Sequence, residues 1–301
     1  MKTAHLLLPA LGLAWTFVAI VVAHARQRGI SVFHFLMCGS FFSFLIFLGI
    51  NLFWGMENFF APQYRLAVVM LILGAVFNSS CQMVAMYNLK QGGRALAFAI
   101  PQLSFIMPYA WSIIFRGERF ALTGAAGLLC ISGAICFLAM KKNTAQSGAV
   151  SSALEPKRIL IAFAAMFTGG CSQIFFSYPA LLPQEQRVST LTGSLIIQVI
   201  SMLVYLIFSL FTPVKFIDGI KKTLKYSVLW AVGAVASYCV LLPALEEMSK
   251  LKQTGIVYPA ACSMLILLFA LYTAIRYKEK LSGSQTAAFL AIIAGIFLIR
   301  L

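Results

Sequence analysis

Between its basic and Pro- or Gly-marked breaks the chain offers ten windows of about 20 residues that carry almost no charge, and this constrains the fold more than any motif does. A bilayer core about 30 Å thick is crossed by roughly 20 apolar residues in a helix, which satisfies its own backbone N–H and C=O groups where no water can. The windows run over 5–24, 31–54, 66–87, 94–115, 120–140, 159–182, 188–211, 224–245, 255–275 and 281–299. They predict an all-α polytopic membrane protein with ten transmembrane helices. Composition agrees, since 61% of the 301 residues are hydrophobic and 10% are charged, against about 25% charged in soluble domains.

Connections between windows are short. The longest polar one, KKNTAQSGAVSSALEPKR, lies almost at mid-chain and reads as a linker, residues 143–156, between halves 1–142 and 157–301. The first window follows Lys2 and ends in Ala-His-Ala, which imitates a secretory signal. Its apolar run, holding Pro9, Gly12 and Trp15, is too long for a signal h-region and predicts a retained helix. The seven cysteines all lie inside apolar windows without metal-ligand spacing, so neither a metal, a cofactor nor a disulfide framework is expected. A net charge of +15 would suggest nucleic acid for a soluble chain. Here the 23 Lys and Arg are dispersed over short loops, where they set topology and meet anionic headgroups. The expected partners are the lipid bilayer and a small-molecule substrate, with no nucleic acid. The expected location is the plasma membrane (a bacterial inner membrane), with a monomer sufficient and a dimer as the alternative.

A second pattern lies over the windows. Leu89-Lys90-Gln91 returns as Leu251-Lys252-Gln253, Gly74-Ala75-Val76 returns as Gly233-Ala234-Val235 at an offset of 159, and the surroundings of Glu118 return around Glu279 at an offset of 161. Each landmark occupies the same place in a set of five windows. Two five-helix repeats are therefore expected, and because five is odd the second enters the membrane from the opposite side. Such inverted repeats are an architecture of secondary transporters, with substrate near the midplane and access alternating between faces.

These features together, with the stretch GERFALTGAAGLLCISGAICFL over 117–138 and its weaker echo over 278–299, resemble the drug/metabolite transporter superfamily, in particular its EamA-like members. The resemblance spans essentially the whole chain. It implies a transporter whose central cavity is lined by the first, third and fourth helices of each repeat, with the fifth helices at the periphery. It also implies cytoplasmic termini. The Lys and Arg count points the other way, because the loops after odd-numbered helices hold 15 and the termini with the remaining loops hold 8; the positive-inside rule would put both termini outside.

Ionisable groups at membrane depth are costly and mark function. All eight acids fall in loops or at helix ends, so no buried carboxylate relay is expected. His34, near the start of the second window, is either an interfacial hydrogen-bonding residue or a proton-coupling group. Arg94 opens the fourth window beside Gly92-Gly93, where a helix N-terminus with a nearby cation could dock an anion, or where the arginine simply snorkels. The substrate-binding candidates are Trp15, Asn78, Gln82, Arg94, Gln102, Trp111, Gln173, Tyr178, Tyr238 and Tyr258. Their amides and hydroxyls must face a cavity or a neighbouring helix, because lipid leaves their hydrogen bonds unmade. Pro101 and Pro259 take similar early positions in the fourth helices of the two repeats, as hinges or as packing residues.

No catalytic constellation is legible, so the chain is not expected to be an enzyme. A secondary transporter of a small polar or amphipathic metabolite or drug is expected, acting as exporter, exchanger or facilitator. The alternatives are an organic-anion or lipid-linked substrate transporter or flippase, and a non-transporting membrane interaction protein.

Overall fold

The structure is a computed structural model that describes residues 2–90, 100–118, 121–146, 156–212, 214, 216–277 and 283–300. Among these residues every regular element is helical. We number the α-helices in chain order: α1 Lys2–Gln27, α2 Val32–Trp54, α3 Arg65–Lys90, α4 Ile106–Arg116, α5 Leu122–Gln146, α6 Pro156–Ser177, α7 Thr190–Leu210, α8 Phe216–Lys250, α9 Val257–Tyr277 and α10 Gly283–Arg300. Short 3₁₀ turns at Pro62–Tyr64, Leu103–Phe105, Tyr178–Leu181, Gln184–Gln186 and Thr254–Ile256 join several of them.

Seven helical stretches among the described residues are long and apolar enough to cross a membrane: Leu6–Gln27, Val32–Trp54, Pro62–Ala85, Ile159–Leu181, Gln184–Leu210, Phe216–Lys250 and Thr254–Arg276. The expected windows 120–140 and 281–299 fall in α5 and α10, whose apolar stretches among the described residues are Leu122–Phe137 and Thr286–Ile299. The window 94–115 begins on residues outside those described, and its remainder is broken by the 3₁₀ turn Leu103–Phe105, which begins two residues after Pro101. The Arg94, Gly92-Gly93 and Glu279 expectations, and most of the linker, also lie outside the described residues. α8, with 35 residues, is about 52 Å long and exceeds a hydrocarbon core by several turns.

The chain forms two compact units. One comprises Met1–Ser79 and Ser172–Leu251, the other Ser80–Cys171 and Lys252–Leu301. In the first, α1 and α2 pack on α8, and α2 also packs on α7. With little hydrophobic driving force between helices in lipid, association depends on small residues and interhelical hydrogen bonds. Both are present. Ser227 Oγ donates to the Phe35 carbonyl at 3.0 Å and Ser43 Oγ to the Ala231 carbonyl at 3.3 Å, while Thr192 Oγ1 donates to Asn51 Oδ1 at 3.0 Å. Two glycines admit aromatic rings: a β-carbon at Gly74 would lie 2.6 Å from the Phe176 ring, and one at Gly233 would lie 2.8 Å from the Phe17 ring.

In the second unit α5 packs along α10. Gly127 and Gly295 cross so closely that a β-carbon on either would lie 2.5 and 2.7 Å from the other's carbonyl oxygen. Ala134, Ala288 and Ile292 continue the seam, and the residue pairing runs antiparallel. Large apolar side chains elsewhere point outward, among them Leu52, Phe53, Trp54, Phe60, Ile114, Phe115, Leu129 and Phe211. In water that surface would be a liability, and in lipid it is the solvated face. Phe53, Trp54, Phe59 and Phe60, at the end of α2, have the composition of an interfacial aromatic belt.

Candidate functional site

α6 stops where Tyr178 is followed by Pro179, and Leu182 is extended because Pro183 follows it. The chain then folds through Gln184–Gln186 and enters α7 at Ser189, an N-cap whose hydroxyl accepts from Thr192 N–H. Arg187 braces this bracket: its Nε donates to the Leu182 carbonyl at 2.6 Å, and one terminal nitrogen meets Glu246 Oε1 at 3.2 Å near the end of α8. From the α2–α3 connection, Glu57 Oε2 accepts the Ser189 N–H at 2.9 Å. In this unit, therefore, the connections after α2 and α6 and the end of α8 meet at one end.

They enclose a cavity of about 240 Å³ whose polar rim holds Glu57, Arg187 and Glu246 and whose apolar walls include Leu71, Phe176 and Leu242. It lies wholly within the first unit and takes residues from both halves of the chain. Below it the spans turn polar. Phe176 meets Tyr238 edge-on at 6.2 Å, and Asn78 Nδ2 donates to the Tyr238 hydroxyl at 3.4 Å. Tyr238 lies one turn along α8 from Leu242, and Asn78 two turns along α3 from Leu71, so the pair sits about 5–10 Å further along the helices than the cavity wall. Two of the sequence-predicted residues, Asn78 and Tyr238, are thus brought together. Tyr178 opens the 3₁₀ turn whose Pro179 lines the cavity, and Gln173 stands one turn before Phe176 on α6.

The remaining candidates are placed elsewhere. Trp15 is half-buried on α1, while Gln82, Gln102, Trp111 and Tyr258 belong to the second unit, where Trp111 stands 6.3 Å from Phe115 and Tyr258 is fully buried. Pro259 occupies the first turn of α9, where its missing N–H has no intrahelical partner to lose. His34 is fully buried at the start of α2, with Nδ1 2.8 Å from Ser31 Oγ, Phe216 beside its ring and Gly219 pressed against it.

Sequence reasoning passed over a second polar cluster because it is built from loop acids. Gly117, with φ +62°, ends α4 in the left-handed region. That turn directs Glu118 at the start of α9, where it accepts the Thr254 N–H at 3.0 Å, the Gly255 N–H at 3.1 Å and the Thr254 hydroxyl, with Arg116 at 3.3 Å. A carboxylate there satisfies orphan N–H donors and opposes the positive end of the helix dipole. Glu57, Arg187 and Glu246 were passed over as well, two in connections and one near the end of α8, because no local pattern brings their charges together.

These elements define an all-α, multi-pass membrane protein with a rimmed cavity at one end of its first unit. No family model and no curated protein matches the chain. Among solved structures 28 chains match, and one, described only as "Crystal structure of protein", superposes with a TM-score of 0.71 over 99% of this chain and 96% of its own, at 15% identity. At that identity the likeness shows the fold alone.

Proposed function

We propose that the protein is a secondary transporter of a small polar or amphipathic metabolite or drug, working by alternating access of two inverted five-helix repeats as in the drug/metabolite transporter superfamily. The observation that carries the reading is the cavity in the first unit, with its charged rim and Phe176 in its wall, and the Asn78–Tyr238 pair one to two turns beyond that wall within the spans. Polar side chains at that depth are costly to keep, and their position one to two turns beyond the cavity wall supports a role in holding the solute.

The repeat reading has its own support. Gly74 takes the ring of Phe176, and Gly233 takes the ring of Phe17. Both the glycines and the phenylalanines are 159 residues apart, so the same packing recurs with the halves exchanged. The α5–α10 seam repeats this exchange: Gly127 meets Ile299 as Gly295 meets Ile131.

Counterflow in proteoliposomes tests the proposal. A polar solute should exchange across the membrane, and Asn78→Leu or Tyr238→Phe should weaken its half-saturation by roughly tenfold, the effect of one lost hydrogen bond in a dry site. Absence of counterflow across a broad panel of polar metabolites would overturn it.

A further inference from the structure

In a chain of net charge +15, the cavity rim is where the sign reverses. Two of the eight acidic residues and one of the 23 basic ones line it. The single base is already engaged: Arg187 gives its Nε to the Leu182 carbonyl and pairs with Glu246. The other positive contribution is the N-terminal end of α7, equivalent to about half a charge, and Glu57 already sits on it through the Ser189 N–H. With Arg187 and Glu246 offsetting one another, what remains is the negative charge of Glu57, partly balanced by the end of α7, over walls formed by Leu71, Phe176, Leu242 and Leu245. A concave, low-dielectric cleft focuses the field of a net charge on a ligand of the opposite sign.

We infer that this cavity selects an organic cation: a protonated amine carried on an apolar or aromatic body, with the ammonium at Glu57, beside the Arg187–Glu246 pair, and the body against Phe176 and the leucines. The inference rests on the transporter reading and names the substrate class of the same site. It makes an organic anion the disfavoured ligand there. The apolar floor distinguishes the site from a mere acidic surface, because a small inorganic cation would gain nothing from it, whereas an arylalkylamine gains burial of its ring.

Equilibrium binding to the purified full chain in detergent tests it with three probes of one shape: phenethylamine, 2-phenylethanol and 3-phenylpropionate. The amine should bind at least roughly tenfold more tightly than the alcohol, the carboxylate should be weakest, and the preference should shrink with added salt. Glu57→Gln, which leaves the Arg187–Glu246 pair intact, should remove about tenfold of the amine affinity while leaving the alcohol unchanged, which also cancels partition into the micelle. Equal or tighter binding of 3-phenylpropionate by the unmodified protein overturns the inference, and so does amine affinity that stays within twofold in Glu57→Gln. Counterflow is read separately. Amine binding without counterflow of any solute sinks the transport reading alone, while counterflow of a neutral solute without amine preference sinks the charge selectivity alone.

Discussion

The ring of Phe176 lies against the α-carbon of Gly74, so close that a β-carbon there would come within 2.6 Å of it. Phe176 is 4% exposed and Phe17, its counterpart at Gly233, is 40% exposed. Added volume at Gly74 therefore has nowhere to go, whereas at Gly233 the ring can swing toward lipid. Gly74→Ala should cost about 1–2 kcal/mol net of the helix propensity that alanine returns, and Gly233→Ala less. In a double-mutant cycle Phe176→Leu should recover at least about 0.5 kcal/mol of the Gly74→Ala loss. Additive unfolding data for that pair in detergent would show that the contact does not carry the cost.

The obstacle at the α5–α10 seam is of another kind. A β-carbon at Gly127 meets the backbone carbonyl of Gly295 at 2.5 Å, and a carbonyl cannot rotate away as a ring can. Gly127→Ala should force the helices apart and lower stability by more than Gly74→Ala does, about 2–3 kcal/mol. Thermal unfolding of both variants side by side checks the order, and the reverse ranking refutes it.

Glu118, 9% exposed, caps α9 through the N–H groups of Thr254 and Gly255. Glu118→Ala would leave those N–H donors without their acceptor and Arg116 with only the Thr254 hydroxyl, a loss of about 2–3 kcal/mol. Glu118→Gln keeps one acceptor oxygen but not the charge, and should lose roughly half as much. A loss below about 0.5 kcal/mol for the alanine variant would remove the cap from the account of α9.

Lys252 has φ +55°, a left-handed conformation that a residue with a β-carbon adopts at a cost of about 1 kcal/mol or more. Lys252→Gly should relieve that strain and raise the unfolding temperature. Because Gly loses more backbone entropy on folding, the net gain should be about 0.5 kcal/mol. A lowered unfolding temperature would mean that the lysine side chain makes a contact worth more than the strain.

The rim pair should matter little to stability. Arg187 and Glu246 are 3.2 Å apart with side chains 24% and 40% exposed, and half-exposed ion pairs contribute about 0–1 kcal/mol. Glu246→Gln should therefore unfold within about 1 kcal/mol of the parent. A larger change would place the pair among the residues that hold the loop closed.

What the sequence determined by itself is the material of the fold. A bilayer supplies no hydrogen bonds, so each spanning segment must be helical and apolar over its own length, and that requirement is local. The starts and stops of α1, α2, α7 and α9 are legible in this way, whereas Gly74 and Gly233 read only as matching landmarks, and the structure shows that each takes an aromatic ring. Only the tertiary structure decided which polar groups meet. Asn78 and Gln82 are neighbours on one helix and chemically alike, yet Asn78 reaches Tyr238, 160 residues away, and Gln82 belongs to the other unit. Glu57 and Glu118 read alike as loop acids. One lines a cavity and the other caps a helix, because side-chain pairing depends on the rotation and approach of helices that no local pattern encodes.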